Sequence, residues 1–298
     1  MAQGHSTQER RGRGVVLVAV LWILALLGIV AASFLRETRI ETRITHNLVE
    51  NARAEALADA GVELAKLGLL DPDDETVWRA DGTLYEFSFG EGRIRVTLQS
   101  EAGKIDLNQA PDETLLALFE VAGLSAADAA RFVDAVADFR DPDIEQRPAG
   151  AEDPDYAAAG FAHGAKDAAL ETVDELLQVA GMTRELYDRL APNVTVYSDG
   201  QIDPTVAPPM VLQMLRQFMP EQLDQMLDAS RDEVGATLSR PSTVTVLVEA
   251  TTAGGTVFSR TAVIQRTEDP AEPFRVLEWR QIWQAPPAVA AAGPILDQ

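Results

Sequence analysis

The sequence predicts an α+β chain in which one long N-terminal helix packs on an antiparallel sheet, and the sheet is interrupted by an all-α insertion. Three observations carry this. An uncharged run from Val15 to Leu35 is followed by helix-forming residues, with no proline, as far as Leu69. Segments that alternate like β-strands fall into two groups far apart, at 84–98 and 243–283. The stretch between them, 104–240, is rich in Ala, Asp, Glu and Leu and lacks good strand patterns, so it reads as helical.

Composition narrows the class. The 298 residues suffice for a membrane helix and two modest domains. The formal net charge is -22, although the leading residues up to Arg13 are basic. Strong acidity argues against a nucleic-acid partner, because phosphate contacts draw on Lys and Arg. The chain has no cysteine, which excludes disulfide staples and thiol chemistry. His5, His46 and His163 lie in the leader, the long helix and an Ala/Gly loop. With no metal-binding His pair, nucleophile elbow or phosphate loop, the chain reads as a non-enzyme.

The long helix is expected over 15–70, with a basic leader at 1–14. At ~1.5 Å per residue, the run from Val15 to about Leu35 matches the roughly 30 Å hydrocarbon core of a bilayer. A secretory signal peptide has a shorter apolar core and a cleavage site before a mature domain; here Ala31-Ala32-Ser33 is followed by more helix. Basic residues before a first membrane helix keep that end in the cytoplasm, which sends the rest of the chain outside, to the periplasm of a two-membrane bacterium. Beyond the span, Ile44, Leu48, Ala52, Leu57, Ala60, Leu64 and Leu67 recur at helical spacing. The small residues around them, including Gly61 and Ala65, allow close packing on a sheet. Asp71-Pro72 ends the helix.

The sheet is expected from 71–103 and 241–284. Leu84–Phe89 and Arg93–Leu98 alternate around Gly90-Glu91-Gly92 as a hairpin. Thr243–Glu249, Val257–Arg266 and Phe274–Trp283 supply the later strands, the first two joined at Ala253-Gly254-Gly255. Within the insertion, a Leu-rich helix at Asp112–Val121, a break at Gly123-Leu124-Ser125 and a helix at Ala126–Phe139 form a helix-hairpin-helix unit capped by Ser125. Thr172–Val179, Gly181-Met182-Thr183 and Arg184–Leu190 repeat the pattern. A further helix is expected after Gly200–Pro208. Such units often bind DNA through hairpin amides, but these surroundings are acidic.

Four stretches, in this order, resemble the minor pseudopilin K family of the type II secretion system: Arg13–Leu17 with its apolar helix, Ala54–Leu70, Lys104–Pro111 (KIDLNQAP), and Asp138–Asp143 (DFRDPD) followed by Leu170–Val179. The resemblance covers nearly the whole chain up to about Ala285, after which 285–298 is expected to be a flexible tail. It implies a pseudopilin fold carrying a helix-hairpin-helix (SAM-like) insertion. It also implies a prepilin peptidase that cuts after Gly14 and exposes Val15 for N-methylation. Val15 departs from the Phe or Met that many pilins carry there. Ala19 stands at the fifth mature position, where most pseudopilins have Glu. A carboxylate in lipid is costly unless paired, and the pairing ammonium is thought to belong to a neighbouring subunit. The K family also lacks this Glu and is thought to occupy the tip of the pseudopilus. The implied partners are the I and J class minor pseudopilins, the prepilin peptidase, exported proteins and inner-membrane lipid. A single-pass anchored helix-hairpin-helix binding protein of the DNA-uptake type is the alternative.

Asp138, Asp141, Asp143 and Glu145, followed by Glu152, Asp153 and Asp155, form an acidic stretch without EF-hand spacing. The residues alone fit either a structural calcium site or a solvated loop with helix-capping acids. The family resemblance implies calcium in this region.

Overall fold

The computed structural model describes residues 9–73, 76–233 and 241–282, with the side chains of 9–16, 32–42 and 230–233 outside the description. The predicted tail, 285–298, lies outside the described residues. The chain divides into two compact units, 1–53 and 54–298.

Helix α1 runs Glu9–Leu70. It begins before Val15 and takes in the end of the predicted leader; Arg is a good helix former, and Gly12 and Gly14 weaken the helix without ending it. Within the first unit, Leu17, Trp22, Leu26 and Ile29 are exposed, as is Ala19. Among the described residues, no helix is long and apolar enough to cross a membrane.

In the second unit, the last turns of α1 lie on a five-stranded antiparallel sheet. After α1 come β1 (Asp81–Phe89) and β2 (Gly92–Ser100). The insertion begins with β3 (Ile105–Asp106), α2 (Asp112–Val121), α3 (Ala126–Arg140) and α4 (Asp153–Ala158). It continues through α5 (Arg184–Leu190), β4 (Val194–Thr195), α6 (Pro209–Phe218) and α7 (Pro220–Glu233). Strands β5 (Thr243–Thr251), β6 (Val257–Arg266) and β7 (Phe274–Ile282) complete the sheet in the order β1-β2-β5-β6-β7. Ser100 pairs with Val244. The two ends of the insertion therefore meet on adjacent central strands, and the insertion leaves the ladder whole.

The helix–sheet core follows from small residues at helical spacing. Ala58, Val62, Ala65 and Leu69 are buried against Ile94, Val96, Leu98, Val244, Val246 and Val248. A Cβ on Gly61 would lie 2.5 Å from Val248 Cγ1 and 2.9 Å from Ile94 Cγ2, so glycine sets the closest approach of helix to sheet. Each large apolar side chain buried here contributes about 1.5–3 kcal/mol. Arg260 adds a polar clamp: its guanidinium donates to Asp59 and Glu55 at 2.9 Å each and lies over the rings of Phe258 and Trp279. At the end of α1, Arg266 donates to the Leu69 carbonyl at 2.8 Å, which satisfies an open helix C-terminus. Trp78 packs over Gly68 and stacks on Tyr85, with ring centroids 4.2 Å apart.

The insertion has its own core, centred on Leu115, Leu118, Phe119, Phe132, Val136, Phe139, Tyr156, Leu176, Leu190 and Met214. Three local expectations change. The stretch without good strands contains β3 and β4, a short parallel pair. Thr172–Val179 forms a 3-10 helix at Val173–Gln178 in place of an α-helix; β-branched residues flank it, and the tighter turn sends Leu176 into the core. The second half of the acidic loop folds as α4, because Pro154 suits a first helical turn and Asp153 and Asp155 suit a helix N-terminus.

Candidate functional site

The KIDLNQAP stretch is a structural latch. Asp106 is buried, and its carboxylate accepts four bonds: from the Asn108 and Gln109 backbone N–H groups at 2.8 and 3.0 Å, and from the Ser198 N–H and hydroxyl at 3.1 Å each. The Asn108 side chain donates to the Leu170 carbonyl and accepts from the Leu170 N–H, both at 2.9 Å. Arg140 donates to the Leu107 carbonyl. Beside these, Lys104 and Glu101 form a buried ion pair of 2.7 Å, and both bond to Thr245 on β5. Gln99 on β2 reaches the Val206 carbonyl at 2.6 Å. Removing one partner of a buried pair typically costs about 3–5 kcal/mol, because the other charge is stranded.

A second bridge joins the insertion to β7. Arg280 pairs with both Asp174 and Glu278. Tyr187 donates to Asp174, and Tyr197 donates to Glu278 at 3.1 Å. Burial opposes ionisation of Asp174, but the hydrogen bonds from Arg280 and Tyr187 outweigh it and hold the carboxyl below its usual range. Burial and the Asp174 partner push the Tyr187 phenol up to about 12. Burial and Glu278 raise Tyr197 as well.

The two hairpins are alike. Gly123 and Gly181 take positive φ values of 102° and 85°. Ser125 Oγ accepts the Asp128 N–H, and Thr183 Oγ1 accepts the Leu186 N–H, both at 3.2 Å. These caps start α3 and α5.

The acidic stretch separates into two groups. Asp138 is fully buried under the Arg147–Gly150 loop and accepts the Arg147 N–H with both oxygens. Burial raises its carboxyl, and the charges of Asp141 and Asp134 add to this against the Arg147 N–H. Asp141 is raised by burial and then by Asp143 and Asp167. Glu152 is raised by burial and then by Asp138, Asp167, Asp141 and Asp143. Asp141 Oδ1 and Glu152 Oε1 are buried with no hydrogen-bond partner among the described residues. The other residues of the stretch serve local structure. Asp155 accepts the Glu152 N–H at 3.1 Å and Gln146 Nε2 at 2.9 Å. Glu145 is exposed and only donates its N–H to Asp143. Asp153 accepts the Ala165 N–H. Asp167, missed in the sequence, joins the mutually repelling group from a left-handed φ of 53°.

Among the described residues, no three acidic or imidazole side chains come together as a group that could hold a metal ion. Burial and neighbouring carboxylates raise Asp138, Asp141 and Glu152, and one buried oxygen each of Asp141 and Glu152 lacks a donor among the described residues. Gly14 and Val15 fall within α1, in the part whose side chains lie outside the described residues.

The described chain combines a long helix, whose last turns lie on an antiparallel sheet, with a latched helical insertion. The family profile "Type II secretion system (T2SS), protein K" matches residues 96–199, from the second half of β2 through KIDLNQAP, both hairpins and the acidic group. Type II secretion system protein K of Klebsiella pneumoniae is 27% identical over 266 residues, covering 78% of this chain and 81% of the relative. Its counterpart in Pseudomonas aeruginosa is 26% identical and covers 74% and 73% of the two chains. A chain in the crystal structure of the GspK-GspI-GspJ complex from enterotoxigenic Escherichia coli matches the fold with a TM-score of 0.57 at 22% identity, over 83% of this chain and 100% of that one. The chain is thus similar to protein K of type II secretion, by the profile over 96–199 and by the relatives over about three quarters of its length.

The β7 bridge makes a pH prediction. A depressed Asp174 adds stability above its unfolded value of about 3.9 and loses it as pH falls through the lower folded value. The Tm advantage of the parent over Asp174→Asn is therefore expected to stay constant from pH 7 to 5 and to shrink below pH 4. Calorimetry across that range checks it, and an unchanged advantage at pH 2.5 contradicts it.

Proposed function

We propose that this chain sits at the tip of the type II secretion pseudopilus, starts assembly with the I and J class minor pseudopilins, and helps to export folded proteins across the outer membrane. The fold match to a chain solved in a complex with GspI and GspJ carries the reading. Ala19 supports it. A subunit with no neighbour above it lacks a partner for a lipid-buried carboxylate, and this chain has none at that position. The span at about 15–35 holds the chain in the inner membrane, with the basic end cytoplasmic and the sheet and insertion periplasmic. Prepilin peptidase cuts between Gly14 and Val15, and Val15 is then N-methylated.

Asp138, Asp141, Asp143 and Glu152, with Asp167 beside them, would hold a structural calcium ion, whose charge offsets their repulsion. The orphaned oxygens of Asp141 and Glu152 support this.

Two measurements test these readings. Mass spectrometry of the chain from native membranes is expected to find a methylated N-terminus at Val15, and an uncut chain when the prepilin peptidase is absent. An uncut N-terminus in both strains removes the pseudopilus mechanism, and a start beyond Ser33 makes the segment a signal peptide. Calcium well above its Kd is expected to raise Tm, equivalent to about 2.7 kcal/mol at a hundredfold excess. Asp141→Asn with Glu152→Gln should abolish the response. Equal Tm values in calcium and chelator contradict the site.

A further inference from the structure

Two Asp-Gly pairs occur in the chain, Asp81-Gly82 and Asp199-Gly200. At such a pair the missing Cβ of glycine lets its backbone nitrogen approach the carboxyl carbon of the residue before it. Both glycines have a left-handed backbone, with φ of 89° and 85°. The surroundings of the two carboxyl groups differ. Asp81 opens β1 and pairs with Gln99 in the sheet ladder. Its Oδ1 accepts the Thr83 N–H and hydroxyl, and its Oδ2 pairs with Arg79 at 2.8 Å. Burial opposes ionisation of Asp81, but Thr83 and Arg79 outweigh it and hold the carboxyl below its usual range.

Asp199 lies in the irregular stretch between β4 and α6 and is exposed. Among the described residues its backbone makes no main-chain hydrogen bond, and its carboxyl has one donor, the Gln201 N–H at 3.0 Å. This bond to the residue two places on turns the side chain back toward the Gly200 peptide. Both neighbours of Asp199 belong to the latch. Ser198 gives its N–H and its hydroxyl to buried Asp106, and the Gly200 N–H donates to Ser198 Oγ at 3.3 Å. A Cβ on Gly200 would lie 2.6 Å from Gln109 Cβ, so this loop already stands at its closest approach to the KIDLNQAP segment.

We propose that Asp199 is a site of spontaneous isoaspartate formation, and that the conversion releases Ser198 from Asp106. The Gly200 nitrogen attacks Cγ of the Asp199 carboxyl group. An N–Cγ bond forms, the carboxyl C–O bond breaks, and the hydroxyl leaves with the amide proton as water. The product is a cyclic imide. Solvent water then attacks its original main-chain carbonyl, whose bond to the Gly200 nitrogen breaks, and that nitrogen takes up a proton. The chain now runs through Cβ and Cγ, one carbon longer, and the former main-chain carbonyl is a free carboxylate. The longer loop cannot keep its approach to Gln109. Asp106 then loses two of its four donors while it stays buried, which strands a charge away from water.

The test stores the full chain in lipid nanodiscs at pH 7.4 and 37 °C, in water enriched in 18O. Peptide mapping with electron-transfer fragmentation is expected to find isoaspartate at 199 several-fold above that at 81, with 18O gained at the converted residue. Hydrogen exchange at the Ser198 amide should speed up as the product accumulates, and Tm should fall. Two variants should store with Tm unchanged: Asp199→Glu, which would need a larger imide ring, and Asp199→Ser, whose hydroxyl can still accept the Gln201 N–H. No isoaspartate at 199, or as much at 81, overturns the site. Conversion that leaves Ser198 exchange and Tm as they were overturns its effect on the latch, as does an equal loss of Tm in both variants.

Discussion

Everything in the second unit depends on the buried polar junction where β2 gives way to the insertion. The chain leaves the sheet at Ser100 and returns at Thr243, and two separate apolar cores meet between those points. Apolar contact alone would let them slide, because it has no preferred direction. The Glu101–Lys104–Thr245 set and the four bonds on Asp106 are directional, and they lie where solvent cannot compete. They fix one orientation of the insertion at the cost of desolvating charges. Arg280 and Asp174 repeat the device at β7.

A fixed insertion is what a structural subunit needs. Its hairpins have the glycines of nucleic-acid binding units, and their capping hydroxyls start α3 and α5. The described residues supply buried pairs that hold shape and a group of neighbouring carboxylates.

Much of the architecture was legible in the sequence, and for identifiable reasons. Period-two alternation located all five strands of the main sheet, and Gly90 and Gly255 marked their turns. Small residues from Ala54 to Ala65 announced the face of α1 that lies on it. The misses involve short elements or distant partners. Ile105-Asp106 and Val194-Thr195 are too short to alternate and become strands only by pairing with each other. Asp153 and Asp155 accept the backbone N–H groups of Ala165 and Glu152, bonds that no spacing in the sequence announces. Asp167 lies far from Asp141 in sequence, and only the fold brings its charge to bear on Asp141 and Glu152. The latch was legible as a motif, while its role was not, since Ser198, Leu170 and Thr245 are remote from it in sequence.

The central claim, that this chain ends the filament, is tested most directly by its position. A gold-labelled tag inserted after Gly160, in an exposed loop of the insertion, can be located by electron microscopy on isolated pseudopili. The account predicts label at one end of each filament and nowhere else. Label spaced along the filaments would contradict it.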